Sequence, residues 1–506
     1  MFGSAVGFWY VFLLSQNREG GKGTNDITCK DCNVIMISLS NVSAEHMSLY
    51  GYERLTTPNL DKWARDSIVF TNAFTQTSWT LPVATSLFTS LYPYSHKMTD
   101  RFIGNVLDEE IQPPRLLTLG EEIQTLPEIL RDQGYKTAAF VGGLDYSNQF
   151  GHMRGFEEFW EAANLSTAIE FAGFGLTLDK ASNWLQENKK RRFFLFVHGY
   201  DTHCPFDPPE KIKGTFSAVE GKNITVDNKL CLRGFKDSES ENYEAYYYRQ
   251  GPQKVILTAD DIRYLENLYD EEILSVDELV GSFLEDLDEA ILENTIVVIF
   301  SDHGEMFAKH GRFGRAGAVR GTLYDDVVHV PLVMKVPKQQ GKRVGGLVQI
   351  IDAMPTLLDV LDIPKPAQAQ GKSLVSLAKE KKEDINQYVF AGSEFGLVEG
   401  RNFSLQVYAW QSINESVRTK EWKLIHETIL DEGGGVKEDT YELYNLKEDP
   451  DELRNVAEQQ PAETSELKRI LKSWADAAKS YDVKNVSSPK SLPQGIIDAA
   501  KEHGYW

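Results

Sequence analysis

The stretch Thr295–Glu305, TIVVIFSDHGE, decides the fold, because an apolar run stops abruptly in a group of polar residues. The apolar part is mostly β-branched, which predicts a strand buried on both faces of a parallel sheet. Ligands of open α/β sheets bind just beyond the carboxyl ends of such strands, where Asp302 and His303 stand. An aspartate beside a histidine suits a divalent metal ion. Taken alone, the pair is better explained as a polar turn with Asp302 as a helix N-cap.

Similar apolar runs recur along the chain and alternate with segments of helical periodicity. Further strands are predicted at Asn33–Leu39, Thr137–Val141, Phe193–Val197 and Pro331–Val336. Helices are predicted at Pro58–Arg65, Pro82–Leu91, Leu126–Asp132, Leu178–Glu187 and Ala259–Leu287. This alternation is typical of an α/β fold, in which a mostly parallel sheet carries helices on both faces.

Length and composition indicate a large domain with a smaller companion. The chain has 506 residues, of which 42% are hydrophobic, so it is longer than one ordinary domain and can bury a sizeable core. The residue composition changes at the linker Pro364–Lys372, which is rich in proline, glutamine and lysine. We predict a signal peptide or anchor with its linker in residues 1–28, an α/β catalytic domain in 32–372, an α+β subdomain in 385–481 and a tail in 482–506.

The predicted companion is built from shorter elements. A charged helix, Val375–Asp384, precedes it, and a helix over Ala462–Ser480 ends it. Strands are predicted between them at Tyr388–Gly392, Ser404–Tyr408 and Trp422–Ile425.

The charge balance limits the classes of partner. Seventy-five acidic residues against 53 basic ones give a formal net charge of −22. Such a field repels nucleic acid and anionic membranes, so we expect neither as a partner. A small anionic substrate remains compatible, because a local cationic pocket can override a distant acidic surface.

The N-terminus and the cysteines bear on the compartment. Ala5–Leu14 is an apolar run too short to span a bilayer, and no Lys or Arg precedes it. A signal peptide, a truncated membrane anchor and a misassigned start site all remain open. Four cysteines, Cys29, Cys32, Cys204 and Cys231, fit two disulfides in an oxidising compartment, although free buried thiols are the plainer alternative. We expect export to the periplasm, the extracellular space or a membrane-anchored state.

Residues able to do chemistry follow the ends of predicted strands. Ser40-Asn41 follows the first strand, and His203 lies in the loop after Phe193–Val197. Thr80 precedes the helix at Pro82, where first-turn N–H groups and the helix dipole favour negative charge. Each residue also has a plain structural explanation: Thr80 as an N-cap, His203 as a loop histidine and Arg320 as a surface charge. Their shared location at one edge of the sheet favours function.

A series of ordered motifs runs through the chain. These include Ser78-Trp-Thr-Leu-Pro82, Tyr200-Asp-Thr-His203, Ser301-Asp-His-Gly-Glu305, Arg320-Gly-Thr-Leu-Tyr-Asp325 and Glu442-Leu-Tyr-Asn-Leu-Lys-Glu-Asp-Pro-Asp-Glu452. Together they resemble the sulfatase branch of the alkaline phosphatase superfamily, from about Cys32 to Tyr481. The resemblance implies a three-layer sandwich around a mostly parallel sheet, with a smaller C-terminal α+β subdomain.

The resemblance also implies chemistry and roles. Such enzymes act on a sulfate or phosphate ester, and one divalent cation (Ca²⁺, Mg²⁺, Mn²⁺ or Zn²⁺) binds the ester oxygens and activates a nucleophile. By position, Thr80 matches the nucleophile, and Asp302 and His303 match two metal ligands. His203 matches the residue that assists the leaving group. Arg320 stands where the family has an anion ligand, and its guanidinium can hold a tetrahedral anion by two hydrogen bonds. The expected substrate is a small anionic ester carried on a glycan or a lipid head group.

Two departures from the family pattern matter. Sulfatases have Cys or Ser at the first position of the segment Thr80-Leu-Pro-Val-Ala84 and Arg at its last, which permits oxidation to formylglycine. Thr80 cannot form that aldehyde, so we expect an unmodified threonine nucleophile, as in the phosphate-ester branches. Relatives carry an acidic metal ligand where this chain has Ser40-Asn41. Asn41 offers a neutral carbonyl as a weak ligand, so occupancy by a cation is in doubt.

Two hypotheses follow. The first is a metal-dependent hydrolase or transferase of phosphate or sulfate esters with Thr80 as nucleophile. The second is a catalytically silent relative that keeps the fold, and an anion pocket around Arg320 and His203, for binding or assembly. Retention of Thr80, Asp302 and His303 favours the first, and loss of the carboxylate at Ser40 favours the second.

Overall fold

The computed structural model describes residues 27–99, 101–103, 115–164, 168–169, 171–216, 232–236, 241–247, 254–314, 322–395, 411–430 and 435–487. The strands are β1 Asn33–Ser38, β2 Ile68–Phe70, β3 Ala73–Phe74, β4 Phe102–Ile103, β5 Arg115–Thr118, β6 Lys136–Val141, β7 Glu158–Glu161, β8 Ala163–Asn164, β9 Ala168–Ile169, β10 Phe193–His198, β11 Leu232–Lys236, β12 Tyr243–Tyr247, β13 Lys254–Leu257, β14 Thr295–Phe300, β15 Arg312–Phe313, β16 Leu332–Lys335, β17 Lys342–Val344, β18 Val348–Gln349, β19 Val389–Phe395, β20 Gln411–Arg418, β21 Trp422–Leu430, β22 Val436–Asn445 and β23 Val486–Ser487. The helices are α1 Pro58–Trp63, α2 Thr80–Thr89, α3 Pro93–His96, α4 Leu126–Asp132, α5 Phe174–Asn188, α6 Ala259–Glu285, α7 Glu289–Leu292, α8 Asp325–Val328, α9 Ala353–Val360, α10 Val375–Ala378 and α11 Pro461–Lys479.

An eight-stranded sheet forms the centre of the molecule, in the order β17-β2-β16-β14-β1-β10-β6-β7. β1 lies in the middle and pairs in parallel with β10 and β14. Only β16 runs antiparallel to its neighbours β14 and β2. The register places Ser38 beside His198 and Phe300, so the carboxyl ends of three parallel strands meet at one edge.

Helices cover both faces of this sheet because its central strands are apolar throughout. Every residue of β1, β10 and β14 is buried. One face packs against α5 and α6, with Leu178 and Leu268 among the buried contacts. The other face packs against α2, α4 and α9, with Leu87 and Leu130 among the buried contacts. The three-layer α/β sandwich expected from the sequence is confirmed.

The C-terminal part forms a second, smaller sheet. Strands β19 to β22 make an antiparallel meander, and α11 packs on it through Leu467 and Leu471. One predicted element here was wrong: the helix over Val375–Asp384 is only the single turn α10. Residues 379–384 are charged and offer no apolar face, and the chain turns at Glu380 in a left-handed conformation with φ 56°. The strand predicted at Ser404–Tyr408 lies outside the described residues.

The disulfides and the character of the helices complete the description of the fold. Cys29 and Cys32 form a disulfide just before β1, and Cys204 is also disulfide-bonded. Within the part of the chain that the structure describes, no helix combines the length and the apolar character needed to cross a bilayer.

Candidate active site

The candidate site lies at the carboxyl edge of the main sheet, where β1, β10 and β14 end. The loops that follow these strands carry three pairs of adjacent residues: Ser40-Asn41, Thr202-His203 and Asp302-His303. Thr80 reaches the same place from the first turn of α2. The residues that were predicted to cluster at the strand ends therefore lie close together where the hydrogen bonds described in the next paragraphs join them.

Thr80 faces His303. Thr80 is the first residue of α2, where the N-cap is Trp79, and its hydroxyl Oγ1 lies 3.2 Å from Nε2 of His303. His303 Nδ1 lies 3.1 Å from the Gly304 carbonyl, which can only accept, so Nδ1 carries the hydrogen. Nε2 then presents its lone pair to the Thr80 hydroxyl. Thr80 is therefore not the N-cap of α2, and its hydroxyl faces an imidazole nitrogen.

Asp302 is buried and held in one orientation. Its Oδ1 accepts hydrogen bonds from the backbone N–H groups of Asn41, at 2.9 Å, and His303, at 3.0 Å. Its Oδ2 has no hydrogen-bond partner and lies 3.6 Å from His303 Nε2. Leaving a buried carboxylate oxygen unpaired costs several kcal/mol unless a cation or donor binds there, by roughly the scale of charged-group desolvation. The atom therefore marks a place for a positively charged ligand.

Ser40 and Asn41 form a strained turn after β1. Both have positive φ values, 54° and 47°, in the left-handed region that costs about 1–2 kcal/mol for a residue with a side chain. Thr202 braces the turn: its hydroxyl donates to the Ser40 carbonyl at 2.5 Å, and its carbonyl accepts from Asn41 Nδ2 at 2.9 Å. Asn41 Nδ2 also donates to Glu305 Oε2 at 3.2 Å. These contacts hold the Ser40-Asn41 turn against Thr202 and Glu305.

A divalent cation fits this donor set, but with little ligand charge. Three buried oxygens lack hydrogen-bond partners, namely Asp302 Oδ2, Asn41 Oδ1 and Ser40 Oγ. His303 Nε2 lies 3.6 Å from Asp302 Oδ2 and 3.2 Å from Thr80 Oγ1. Only Asp302 brings a full negative charge, and the described residues contain no group of three His, Cys, Asp or Glu side chains arranged to hold a metal. Because the affinity for hard cations rises with ligand charge, we expect weak binding.

The other two predicted residues have different outcomes. His203 is half-buried, stacks on Tyr200 with ring centroids 4.5 Å apart, and donates from Nδ1 to the Cys204 carbonyl at 2.8 Å. Because it follows Thr202, it lies next to the residue that braces the Ser40-Asn41 turn. Arg320 lies outside the described residues.

Several supporting residues were missed from the sequence. Ser301 Oγ accepts from Val42 N at 2.8 Å and donates to the His303 carbonyl at 3.0 Å. Tyr269 on α6 accepts from Ser43 N at 3.0 Å and donates to the Asn41 carbonyl at 2.7 Å. Ser301 and Glu305 belong to the quoted motif and could have been found there. Tyr269 lies 228 residues from Asn41, and no pattern in the sequence connects them.

A buried histidine lies behind the site. His198 ends β10, and neither of its ring nitrogens has a hydrogen-bond partner. Burial lowers the pKa of His198 to about 4. Its ring centroid is 4.4 Å from that of Tyr146, whose hydroxyl lies 3.1 Å from Ser38 Oγ. The run FFLFVH could have indicated this position, since His198 is its last residue.

A guanidinium lies beside the nucleophile segment. Arg101 sits over the Trp79 ring, 5.0 Å from its centroid, and Trp79 directly precedes Thr80. Two nitrogens of Arg101 bind the two carboxylate oxygens of Asp145, at 2.5 and 2.6 Å. Asp145 therefore balances the positive charge next to Thr80.

Comparison with known proteins shows the family of the chain. A family model described as Sulfatase matches residues 32–363, and a second, described as N-sulphoglucosamine sulphohydrolase, C-terminal, matches residues 319–477. The chain belongs to the sulfatase family. This family lies in the alkaline phosphatase-like superfamily, and the relatives and structural neighbours of the chain are ester hydrolases. The sulfatase family in general uses a divalent metal ion.

Individual relatives within the sulfatase family cover most of the chain. Arylsulfatase K of Canis lupus familiaris is 23% identical, covering 87% of this chain and 82% of its own. N-acetylglucosamine-6-O-sulfatase of Bacteroides thetaiotaomicron is 24% identical, covering 84% of this chain and 82% of its own. The phosphonate monoester hydrolase of Agrobacterium radiobacter has the same fold, with a TM-score of 0.66, 19% identity, and coverage of 91% and 100%.

Proposed function

We propose that this sulfatase-family protein hydrolyses or transfers a phosphate or sulfate ester with the unmodified hydroxyl of Thr80 as nucleophile, without formylglycine. The observation that supports it most is the 3.2 Å contact between Thr80 Oγ1 and His303 Nε2 at the start of α2. A hydroxyl that faces an imidazole lone pair and helix N–H groups can lose its proton as it attacks.

The chain's own residues divide the work. Asp302 and His303, with neutral oxygens of Ser40 and Asn41, would hold a divalent cation, which when bound polarises the ester oxygens. Thr80 would attack the phosphorus or sulfur atom as the bond to the leaving alcohol breaks. The free lone pair of His303 is on Nε2, so at any one time it would either accept the hydrogen bond of the Thr80 hydroxyl or bind the cation. The backbone N–H groups at the start of α2 favour the negative charge of the bound ester. His203 assists the leaving group, and Arg320 grips the anion.

The substrate we propose is a small anionic ester on a sugar. The supporting observation is that one relative is named N-acetylglucosamine-6-O-sulfatase and a structural neighbour was solved with D-glucosamine-2-N,6-O-disulfate. A lipid head group presents the same ester chemistry and is the alternative carrier.

Matched variants test the nucleophile. Wild type, Thr80→Val and Thr80→Ser would be assayed with p-nitrophenyl phosphate, p-nitrophenyl sulfate and phenylphosphonate esters. We expect Thr80→Val to lose turnover while Thr80→Ser keeps it, because serine retains the hydroxyl. Mass spectrometry of acid-quenched enzyme should find the transferred group on Thr80. Equal turnover in all three proteins would show that Thr80 is not the nucleophile.

A catalytically silent protein is the second candidate, and specific residues favour it. By the family resemblance, Ser40 and Asn41 stand where an acidic ligand is expected and Ala84 stands where an arginine is expected, so the candidate cation site offers less negative charge. Calorimetric titration of chelator-treated protein with Mg²⁺, Mn²⁺, Ca²⁺ and Zn²⁺ separates the two candidates. Binding at a Kd of about 0.1 mM or tighter that disappears in Asp302→Ala supports the enzyme, and no binding supports the silent protein.

We also propose that the protein works outside the cytoplasm. Its support is the bonded state of Cys29, Cys32 and Cys204, since disulfides persist mainly in oxidising compartments. Cell fractionation with a C-terminal tag tests this, and a fully cytoplasmic signal with reduced thiols would contradict it.

A further inference from the structure

A buried group of charges joins the C-terminal sheet to the main domain. Lys423 on β21 is 1% exposed, and its Nζ lies 2.7 Å from Asp325 Oδ1 and 2.7 Å from Glu452 Oε1. Arg418 is the register partner of Lys423 on β20 and contacts the other carboxylate oxygen of Asp325 at 2.5 Å. Asp325 N also donates to Glu452 Oε2 at 2.7 Å. All these contacts converge on Asp325, the first residue of α8.

The electrostatics keep Asp325 ionised, whereas burial and the neighbouring charge of Asp325 raise the pKa of Glu452 to about 7. Burial alone would raise the pKa of Asp325, but the charges of Arg418 and Lys423 hold it below its usual range. A buried ion pair is often no more stable than apolar residues of the same volume, so stability alone is a poor reason for keeping one. Charged partners do fix a specific geometry, and here they fix the start of α8.

α8 in turn holds the loop that carries His303. The backbone N–H of Gly304 donates to the Val327 carbonyl of α8 at 2.7 Å. A Cβ at Gly304 would lie 2.3 Å from the Asp326 carbonyl oxygen, so the two backbones are in direct contact. His303 precedes Gly304 and donates from Nδ1 to its carbonyl. The position of α8 therefore sets the position of the imidazole.

The same cluster also contacts the segment that leads to Thr80. The Arg418 guanidinium lies over the Phe74 ring, 4.3 Å from its centroid. Thr75 N donates to the Val328 carbonyl of α8 at 2.9 Å, and Gly392 N of β19 donates to the Gln76 carbonyl at 2.8 Å. Four residues after Gln76 the chain reaches Thr80. Both partners of the Thr80–His303 contact are thus braced by α8 and the C-terminal sheet.

We propose that Lys423, acting with Arg418 through Asp325 and α8, is a positioning residue that sets the Thr80 hydroxyl against the His303 imidazole. The C-terminal sheet then belongs to the machinery that aligns the nucleophile. The inference rests on the proposed function only in assuming that the Thr80–His303 contact is used in the reaction.

Lys423→Met tests the proposal, because methionine keeps much of the length of the side chain and removes its charge. Lys423→Arg is the conservative rescue, and Lys420→Met on the exposed turn between the same two strands is the matched control. Crystal structures should show the distance from Thr80 Oγ1 to His303 Nε2 increasing by about 0.5 Å or more in Lys423→Met only, a displacement that matters in a catalytic site. Turnover should fall roughly 10- to 100-fold with KM little changed, and Lys423→Arg should restore most of it.

The outcomes separate this proposal from the proposed function. An unchanged distance in a folded Lys423→Met protein overturns the positioning role, whether or not the protein is an enzyme. A longer Thr80–His303 distance in Lys423→Met, together with an inactive wild type, supports the positioning role and contradicts the proposed catalytic function. If Lys423→Met does not fold, the Thr80–His303 distance is measured in Arg418→Gln and tests the positioning role there. This variant leaves the Lys423–Glu452 contact in place.

Discussion

At Ser40, where the family resemblance predicts an acidic ligand, the backbone has a left-handed conformation that serine seldom adopts. The next residue, Asn41, shares this conformation and places its N–H against Asp302. Two strained residues in a row are retained only where the surroundings hold them. Here the contacts with Thr202, Asp302 and Glu305 hold the turn.

Restoring the carboxylate should restore cation affinity. Aspartate tolerates the left-handed region better than most residues, so Ser40→Asp should fit the existing turn. Beside Asp302 the new charge would be repulsive without a cation, and we expect the thermal midpoint to fall in chelator. We expect Mg²⁺, Mn²⁺ or Ca²⁺ to bind at least about tenfold more tightly than in wild type, equivalent to about 1.4 kcal/mol, by calorimetric titration.

Ser40→Asn is the matched control, because it adds similar bulk without charge and should leave affinity near that of wild type. Adding Asp302→Ala to Ser40→Asp should abolish the gain. Unchanged affinity in Ser40→Asp would mean that the position does not face the cation.

Whether the place of a single residue in the site could be predicted from the sequence depends on how far along the chain its contacts reach. Thr80, Asp302 and His303 were predictable because the ends of parallel strands and a helix N-terminus converge at one edge. Tyr269 was not, because it contacts backbone atoms of Asn41 and Ser43 from a distant helix, and no periodicity encodes these contacts.

Among the elements, the central strands were predictable and the helix ends were less so. β1, β10 and β14 follow continuous apolar runs, which leave no alternative to burial. α2 begins at Thr80 and not at Pro82, because any position of the first turn accepts a residue without an N–H. The antiparallel sheets of short strands were missed, since two- to five-residue strands carry too little pattern.

Packing between α2 and its neighbours buries a second histidine that makes the protein sensitive to acid. His152 packs between Phe88 of α2 and Phe150, and its Nε2 has no hydrogen-bond partner. Burial lowers the pKa of His152 to about 3, from 6.5 in the unfolded chain. Below pH 6.5 the unfolded state takes up this proton and the folded state does not. The stability contribution is complete above pH 6.5 and is lost progressively as the pH falls towards 3.

His152→Phe should remove this loss, because phenylalanine fills a similar volume between aromatic rings and does not titrate. Between pH 7.5 and pH 5, we expect wild type to lose roughly 2 kcal/mol more unfolding free energy than the variant, from a pKa difference acting over about 1.5 pH units. Urea unfolding at both pH values measures this difference. Parallel losses in the two proteins would show that His152 is not the origin.

For the molecule as a whole, the excess of acidic residues opposes compaction. A formal net charge of −22 repels itself across the folded surface, and salt screens this repulsion over about 10 Å at 0.1 M. We expect the thermal midpoint to rise by about 1 °C when NaCl increases from 10 to 500 mM, on the scale of about 1 kcal/mol for a protein of this size. Scanning calorimetry measures it.

The exposed ion pairs act on the thermal midpoint in the opposite direction, because salt weakens contacts such as Lys62–Glu285 and Lys472–Asp476. Exposed pairs are each worth at most about 1 kcal/mol, so net repulsion should dominate. A midpoint that falls with salt would show that the pairs outweigh the net charge.

The central position of β1 has a consequence for how the molecule is made. β1 is synthesised long before β14, because Asn33 pairs in register with Thr295, which lies 262 residues further along the chain. At about 5–20 residues per second, roughly 13–50 s pass before this partner strand is synthesised. During that time a strand of continuous apolar sequence has at most one of its two neighbours in the sheet. We therefore expect the contact between Thr80 and His303 to form only after β14 and the loop that follows it have been synthesised.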